Sequence, residues 1–380
     1  MLDGQRLVWQ GAHLRRLDPL GALVWDCFDG TTTVAELSGM LAEDFQADER
    51  DVQGDVTALC SELLAEGLLV GGRPTVDPQP LVPIVNPPSV PLAPGEDSLY
   101  ETGRFRALDH DFAIRTDNTR LAAYFDRSLR SFAVGGSPAR WYSVVAGHEE
   151  SERYRIYLDG EGLYAARDAD AAVRYVLWHV NYQVIVGASS HLLIHASAAT
   201  IGCQAIVMPG NPNAGKTTLV AGLVLDGLKL LTDELAALNL ATGFIDPYPR
   251  PLNIGQGSWE ALAALRPADR DDEDPLPELF WTVDPSSIGP DAVAAPAPLR
   301  WVIEPRFKPG SPTRLEPLSR PEAVELLHHH LFNRHRFGGA GIRALVTAVS
   351  EARCCRLING DLDSAVNAVR DFVQGDGGQP

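Results

Sequence analysis

Residues Gly210-Asn211-Pro212-Asn213-Ala214-Gly215-Lys216-Thr217 place two glycines five positions apart and follow the second with Lys and Thr. That spacing is the pattern of a loop that holds phosphates. Gly210, Asn211, Asn213, Ala214 and Gly215 can aim backbone N–H groups at a phosphate chain, and a helix opening at Lys216 adds the positive end of its dipole. The Lys216 ammonium would reach the β- and γ-phosphates and the Thr217 hydroxyl would ligate Mg²⁺, with Thr218 completing the polar set. The flanks suit this reading: Gln204-Ala205-Ile206-Val207-Met208 is strand-like, and Thr218 to Leu225 is helix-like. A glycine turn formed by chance is the competing reading, and the strand, loop, helix order argues against it. ATP with Mg²⁺ is the expected cofactor pair.

A phosphate loop alone does not separate a kinase from an ATPase. The segment Leu228-Lys229-Leu230-Leu231-Thr232-Asp233-Glu234 brings two acids to a strand end, Asp233 falling sixteen residues after Thr217. Such a pair can divide the labour, one acid orienting or deprotonating an acceptor hydroxyl while the other sits on the metal. Two solvent-facing acids at a strand end are the plainer alternative. His195 closes the apolar run Leu192-Leu193-Ile194, fifteen residues before Gly210. A strand ending there would put its ring at the crevice where open α/β sheets bind ligands, although a lone His after an apolar strand is more often structural. Arg250 lies in the proline-rich turn Asp246-Pro247-Tyr248-Pro249-Arg250-Pro251-Leu252. A guanidinium fixed there could bind phosphate; an ordinary surface arginine is the equal alternative.

In order and spacing, His195-Ala196-Ser197, the loop Gly210 to Thr217 and Leu231-Thr232-Asp233-Glu234 resemble the HPr kinase/phosphorylase superfamily, itself similar to the ATP-type PEP carboxykinases. The resemblance is close over residues 190 to 255 and loose from there to 372. It implies ATP–Mg²⁺-dependent phosphorylation of a protein Ser hydroxyl, with Asp233 as base, Glu234 as the second acid, His195 as the crevice histidine, and Thr217, Asp233 and Glu234 around the metal. Two departures stand out: the second acid is Glu where the HPr enzyme has Asp, and its glycine-rich segment linked to phosphorolysis has no copy here. Members of that family form hexamers, which leaves a homo-oligomer open for this chain. Related kinases occur in biosynthetic clusters for modified peptides, and Pro249-Arg250-Pro251 looks like their proline-flanked arginine.

Three regions must position these residues. Residues 1–70 open with two short β-like pieces, Arg6 to Trp9 and Ala12 to Arg15, joined at Gly11. Helices are expected over Leu20 to Phe28, with Asp18 as N-cap and Pro19 at the first position, over Val34 to Phe45, and over Glu49 to Glu66. Thr33 with Glu36 forms a capping box. Val52, Val56, Leu59, Leu63 and Leu64 mark the apolar face of the third helix, and Leu68-Leu69-Val70 begins a strand. The segments Leu17 to Trp25, Phe28 to Leu37, Asp55-Val56 and Leu63 to Leu69 resemble the PqqD-like peptide chaperone, or RiPP recognition element. This resemblance implies a small winged-helix-like domain that binds a precursor peptide's leader as an added strand beside the third helix.

Residues 71–98 carry Pro74, Pro78, Pro80, Pro83, Pro87, Pro88, Pro91 and Pro94, a composition that favours an extended polyproline spacer. Residues 99–374 hold the phosphate loop, with a β-rich opening over 99–168, the hairpin turn Asp159-Gly160, a helix from Asp170 to Gly187, the nucleotide core at 190–255, and C-terminal helices within 320–374, at Pro321 to His330 and Leu362 to Phe372. Residues 375–380 read as a disordered tail. Strands alternating with helices predict an α/β fold, with an HPr-kinase-like P-loop domain following a small winged-helix-like domain.

The bulk numbers narrow the partners. Net charge is −18, which argues against nucleic acid or an anionic membrane surface. No apolar stretch reaches membrane-span length, and the start shows no signal-peptide pattern. Cys27, Cys60, Cys203, Cys354 and Cys355 show no metal-ligand spacing, and their odd number fits thiols packed in a reducing cytoplasm. The run Asp269 to Asp274 reads as a solvated loop. The reading is thus a kinase acting on a leader-bearing peptide. Phosphorylation of a folded HPr-like carrier, or nucleotide-gated peptide chaperoning without phosphoryl transfer, are the alternatives.

Overall fold

The computed structural model describes residues 6–10, 13–17, 19–26, 33–45, 48–69, 99–149, 152–211, 213–267, 280–289 and 291–375. The expected N-cap Asp18, the proline-rich linker 71–98, the acidic run 269–274 and the tail beyond 375 lie outside these residues. In chain order the elements are β1 (Arg6–Gln10), β2 (His13–Leu17), α1 (Pro19–Asp26), α2 (Val34–Phe45), α3 (Glu49–Ala65), β3 (Tyr100–Glu101), β4 (Arg104–Ala107), β5 (His110–Thr116) and α4 (Thr119–Ser128). There follow β6 (Ala133–Val134), β7 (Arg140–Glu149), β8 (Glu152–Leu158), β9 (Glu161–Ala166), α5 (Ala169–Gly187), β10 (His191–Ile201), β11 (Gln204–Pro209), α6 (Lys216–Leu225), β12 (Lys229–Thr232) and β13 (Leu235–Asn239). The remainder comprises β14 (Phe244–Asp246), β15 (Leu252–Gly255), β16 (Phe280–Val283), α7 (Pro285–Ile288), β17 (Ala297–Phe307), β18 (Arg314–Pro317), α8 (Arg320–His329), α9 (Arg334–Val349), β19 (Arg353–Asn359) and α10 (Leu362–Gln374).

These elements fall into two units. The first joins β1, β2 and α1 to α3 with α8 and α9, helices that arise far along the chain. β1 and β2 pair antiparallel. Thr33 and Glu36 close the expected capping box, the Thr33 N–H donating to Glu36 Oε2 at 2.8 Å and the Glu36 N–H to Thr33 Oγ1 at 3.2 Å. Val24, Leu37, Leu41 and Val56 form one small core, and Val8, Leu17, Leu63 and Leu68 a second. Two expectations change. Leu64 is 46% exposed, because adjacent helical positions point about 100° apart and Leu63 takes the inward one. Leu68 and Leu69 form a bend instead of a strand, their N–H groups both donating to the Leu63 carbonyl as a helix C-terminal closure. Arg15 on β2 pairs with Glu62 of α3 and with Glu66, which caps that helix, at 2.6 and 2.9 Å. Arg16 reaches Glu322 and Glu325 of α8 at 3.6 and 3.5 Å. Trp9 of β1 lies so close over Gly339 of α9 that a Cβ there would stand 2.7 Å from the indole nitrogen. The α8–α9 pair therefore belongs to the packing of the N-terminal hairpin.

The second unit is mixed α/β, with its strands mostly antiparallel. One sheet runs β6-β4-β5-β7-β8-β9, with β3 on β5, and is covered by α4 and α5. Asp159 and Gly160 both take positive φ in the β8–β9 turn, as the hairpin reading requires. A buried polar network sits in this core. The Tyr142 hydroxyl lies 2.9 Å from His179 Nδ1 and 3.4 Å from His110 Nε2. Burial, reinforced by Arg140, lowers both imidazoles to about 4, and burial raises the Tyr142 phenol against the opposing charge of Arg140. The other sheet runs β11-β10-β13-β14-β17-β19-β18, with β12 on β10. β11 also pairs parallel with β17, so the path closes on itself. α6 and α10 pack on this sheet, and a Cβ on Gly222 of α6 would meet the Leu362 side chain at 2.7 Å. Cys203 is exposed, in the turn between β10 and β11, and is not the packed core thiol expected of it.

Candidate functional site

The loop between β11 and α6 has the backbone its sequence demands. Asn213 and Gly215 both take positive φ, and Gly215 leads directly into α6. A Cβ at Gly215 would stand 3.2 Å from Phe307 Cβ, so a side chain here is both strained in its backbone and crowded. Asn211 and Asn213 are exposed, and Ala214 and Gly215 half-buried. The Lys216 side chain is buried and its ammonium donates to the carbonyls of Gly210 and Asn211 at 2.8 and 3.0 Å. Burial lowers its pKa, and Asp233 and Glu234 pull it back up. The Thr218 hydroxyl shares a 2.6 Å hydrogen bond with Ser258.

The turn from β12 to β13 brings the two acids to this loop. Thr232, wholly buried, shapes it by accepting the N–H groups of Glu234 and Leu235 at 3.3 and 3.1 Å. Asp233 and Glu234 then face different surroundings. Asp233 accepts from the Thr217 hydroxyl. Although the residue as a whole is partly exposed, its Oδ1 is shut off from solvent with no hydrogen-bond partner. Burial, with the Glu234 charge adding, pushes its pKa up to about 6 against Thr217, Arg250 and Lys216. Glu234 is 40% exposed and ion-paired with Arg250. The segment bearing Arg250 is held by Tyr248, whose N–H donates to the Leu231 carbonyl at 2.8 Å and whose hydroxyl donates to Asn181 at 3.1 Å.

His195 also belongs to this cluster, but not as a strand end. β10 continues through Ala196 to Ile201, small and β-branched residues that pair with β11 and β12. Its half-buried imidazole feels Lys216 and Glu234; burial and the lysine lower its pKa while the glutamate opposes. The adjoining segment His330–Asn333, part of this same unit, docks on β10. The His195 N–H donates to the His330 carbonyl, the Phe332 N–H to the Leu193 carbonyl, and Asn333 clamps Leu193 N–H and His191 carbonyl at 3.1 and 2.9 Å.

The structure thus gathers Lys216, Thr217, Asp233, Glu234, Arg250 and His195 around one loop. A carboxylate oxygen without a partner, buried beside a threonine hydroxyl, supplies two oxygen donors of the kind a hard divalent cation takes. Thr217 and Asp233 fit Mg²⁺, whereas the Glu234 carboxylate is engaged by Arg250. Among the described residues no group of three or more His, Cys, Asp or Glu stands together as a self-sufficient metal site. Such a cation would take its other ligands from phosphate and water. Sequence reasoning missed Thr232 and Tyr248, which shape the acid turn and hold Arg250, and Phe332. The first two had a local signal, a Thr leading an Asp-Glu turn and a Tyr between prolines; Phe332 had none.

Comparison with known families bears on the other unit. Residues 10–69 match the family model described as coenzyme PQQ synthesis protein D (PqqD). The chain therefore carries a PqqD-type domain, a class that binds precursor peptides. No curated protein matches the chain. Among the described residues no helix is long and apolar enough to cross a membrane.

Proposed function

We propose that this chain is a leader-guided peptide kinase of ribosomal peptide biosynthesis. The observation carrying this reading is the convergence on one phosphate-type loop of a buried lysine, a Thr–Asp pair with an unpartnered oxygen, and an Arg–Glu pair. The PqqD-type domain supplies the substrate class. A leader would add as a strand to its small sheet, main-chain hydrogen bonds giving affinity and pockets giving choice. The exposed Leu64 on α3 offers an apolar contact for it. Tethering the leader raises the local concentration of the rest of the peptide at the kinase site.

At that site Thr217 and Asp233 would hold Mg²⁺, which neutralises charge on the β- and γ-phosphates. Lys216 leaves its loop carbonyls to meet the same phosphates. The acceptor hydroxyl oxygen forms a bond to the γ-phosphorus as the bond from that phosphorus to the β–γ bridging oxygen breaks; ADP departs with the electron pair. The resemblance to HPr kinases assigned the hydroxyl proton to Asp233. Burial favours the reverse division: Asp233 faces inward beside Thr217, while Glu234, open to solvent, takes the proton from an arriving Ser or Thr. Arg250 holds Glu234 in place and adds positive charge beside the transferring group. His195, facing both Lys216 and Glu234, lines the acceptor side.

The test is mass spectrometry of a leader-bearing candidate peptide incubated with ATP and Mg²⁺. A gain of one phosphate supports the reading, and Lys216→Ala should abolish it while leaving leader binding intact. Equal turnover in that variant refutes it. An unchanged peptide mass alongside tight leader binding points instead to a nucleotide-gated chaperone.

A further inference from the structure

The charged groups of the site leave one side to an aromatic surface. Phe332 is 38% exposed, yet its backbone is fixed. Its N–H is bonded to Leu193, Leu331 before it is buried and bridged to Ile194, and Asn333 after it is buried and bonded twice to β10. The ring is therefore presented from a rigid seat. Its centroid lies 5.4 Å from that of His195, and the His330 ring lies 6.1 Å from His195 on the same segment. His195 in turn faces Lys216 and Glu234. An exposed apolar ring held beside a cluster of charges contributes nothing to binding phosphate. What it can do is cover an apolar side chain that arrives with the acceptor.

We infer that Phe332 is a specificity-determining residue that selects acceptor hydroxyls flanked by an apolar or aromatic side chain. The inference rests on the kinase reading above. Contact between one aliphatic side chain and an aromatic face is worth roughly a tenfold preference or more in kcat/KM. Phe332 touches the neighbour of the acceptor, not the reacting atoms, so its removal should act mainly on KM for peptides that carry that neighbour.

The experiment uses the full chain with ATP, Mg²⁺ and peptides that join a candidate leader to Gly-Gly-Xaa-Ser-Xaa-Gly, where Xaa is Leu, Phe, Gly or Asp. The wild type should favour Leu and Phe over Gly and Asp by about tenfold or more in kcat/KM. In Phe332→Ala the preference should collapse towards unity, chiefly through a higher KM for the Leu and Phe peptides, and Phe332→Leu should restore most of it. Affinity for a fluorescent ATP analogue, measured on the same variants, reports that the loop between β11 and α6 is intact. Phosphorylation by the wild type with no apolar preference, or a preference that survives Phe332→Ala, overturns the inference and leaves the kinase reading standing. Absence of phosphate on every peptide overturns both.

Discussion

The Tyr142 network makes stability depend on pH in a calculable way. His110 and His179 are buried, and each imidazole is lowered to about 4. In the unfolded chain both return to about 6.5. Between those values the unfolded state binds more protons, so stability is complete above pH 6.5 and is lost as pH falls towards 4. At pH 5 each ring costs roughly 2 kcal/mol, the free-energy difference between protonating it unfolded and folded, and the two together cost roughly 4 kcal/mol. The replacement His179→Asn keeps a hydrogen-bonding group for Tyr142 but removes one titrating ring. Urea unfolding of the wild type, followed through the transition that carries β5 and β7, should lose about 4 kcal/mol between pH 7 and pH 5, and the variant about half as much. NMR titration of the folded chain should find both imidazoles neutral at pH 5. A ring that titrates near 6.5 in the folded chain, or equal pH slopes in wild type and variant, would refute the argument.

Three further outcomes follow from the site and the peptide-binding unit. Asp233→Asn should raise the Mg²⁺ concentration needed for half-maximal phosphorylation, whereas Glu234→Gln should depress kcat by about 10²-fold or more with little change in that requirement; the reverse pattern would restore the division of roles implied by the HPr kinases. Gly215→Ala forces a side chain into a left-handed position and against Phe307, a strain of about 1–2 kcal/mol, so ATP affinity measured by calorimetry should fall about five- to thirtyfold. Leu64→Asp should weaken binding of a fluorescent leader peptide by about ten- to a hundredfold in an anisotropy assay while leaving ATP affinity alone, since a buried leucine contributes about 1.5–3 kcal/mol.

Local chemistry wrote much of this molecule into its sequence. The capping box at Thr33, the proline at the start of α1, the Asp159-Gly160 hairpin and the loop glycines each encode their geometry within a few residues. The acid pair was legible for the same reason, since Thr232 to Leu235 forms its turn from its own side chain and N–H groups. What escaped was set by distant packing. Nothing near Leu64 tells that Leu63 would take the core-facing direction. Nothing near His195 announces that β10 runs six residues further, because the small residues Ala196 to Ala199 become strand only through β11 and β12 on either side. Phe332 meets His195 across more than a hundred residues of chain, and no periodicity reports such a meeting.

The division of the chain into units has a consequence for exchange and truncation. The polypeptide passes from one unit to the other not only through the proline-rich segment but also at 317–318, 329–330, 333–334 and 354–355. The peptide-binding module is therefore discontinuous: Arg16 and Trp9 have their partners on α8 and α9, between β18 and β19 in the chain. A chain begun at Leu99 would leave those helices without the hairpin they pack on, so its loss of activity would report lost packing as much as lost recognition. Proteolytic nicking between 71 and 98 should not release the first 70 residues under native conditions. Grafting a foreign recognition domain onto this chain would require carrying α8 and α9 with it.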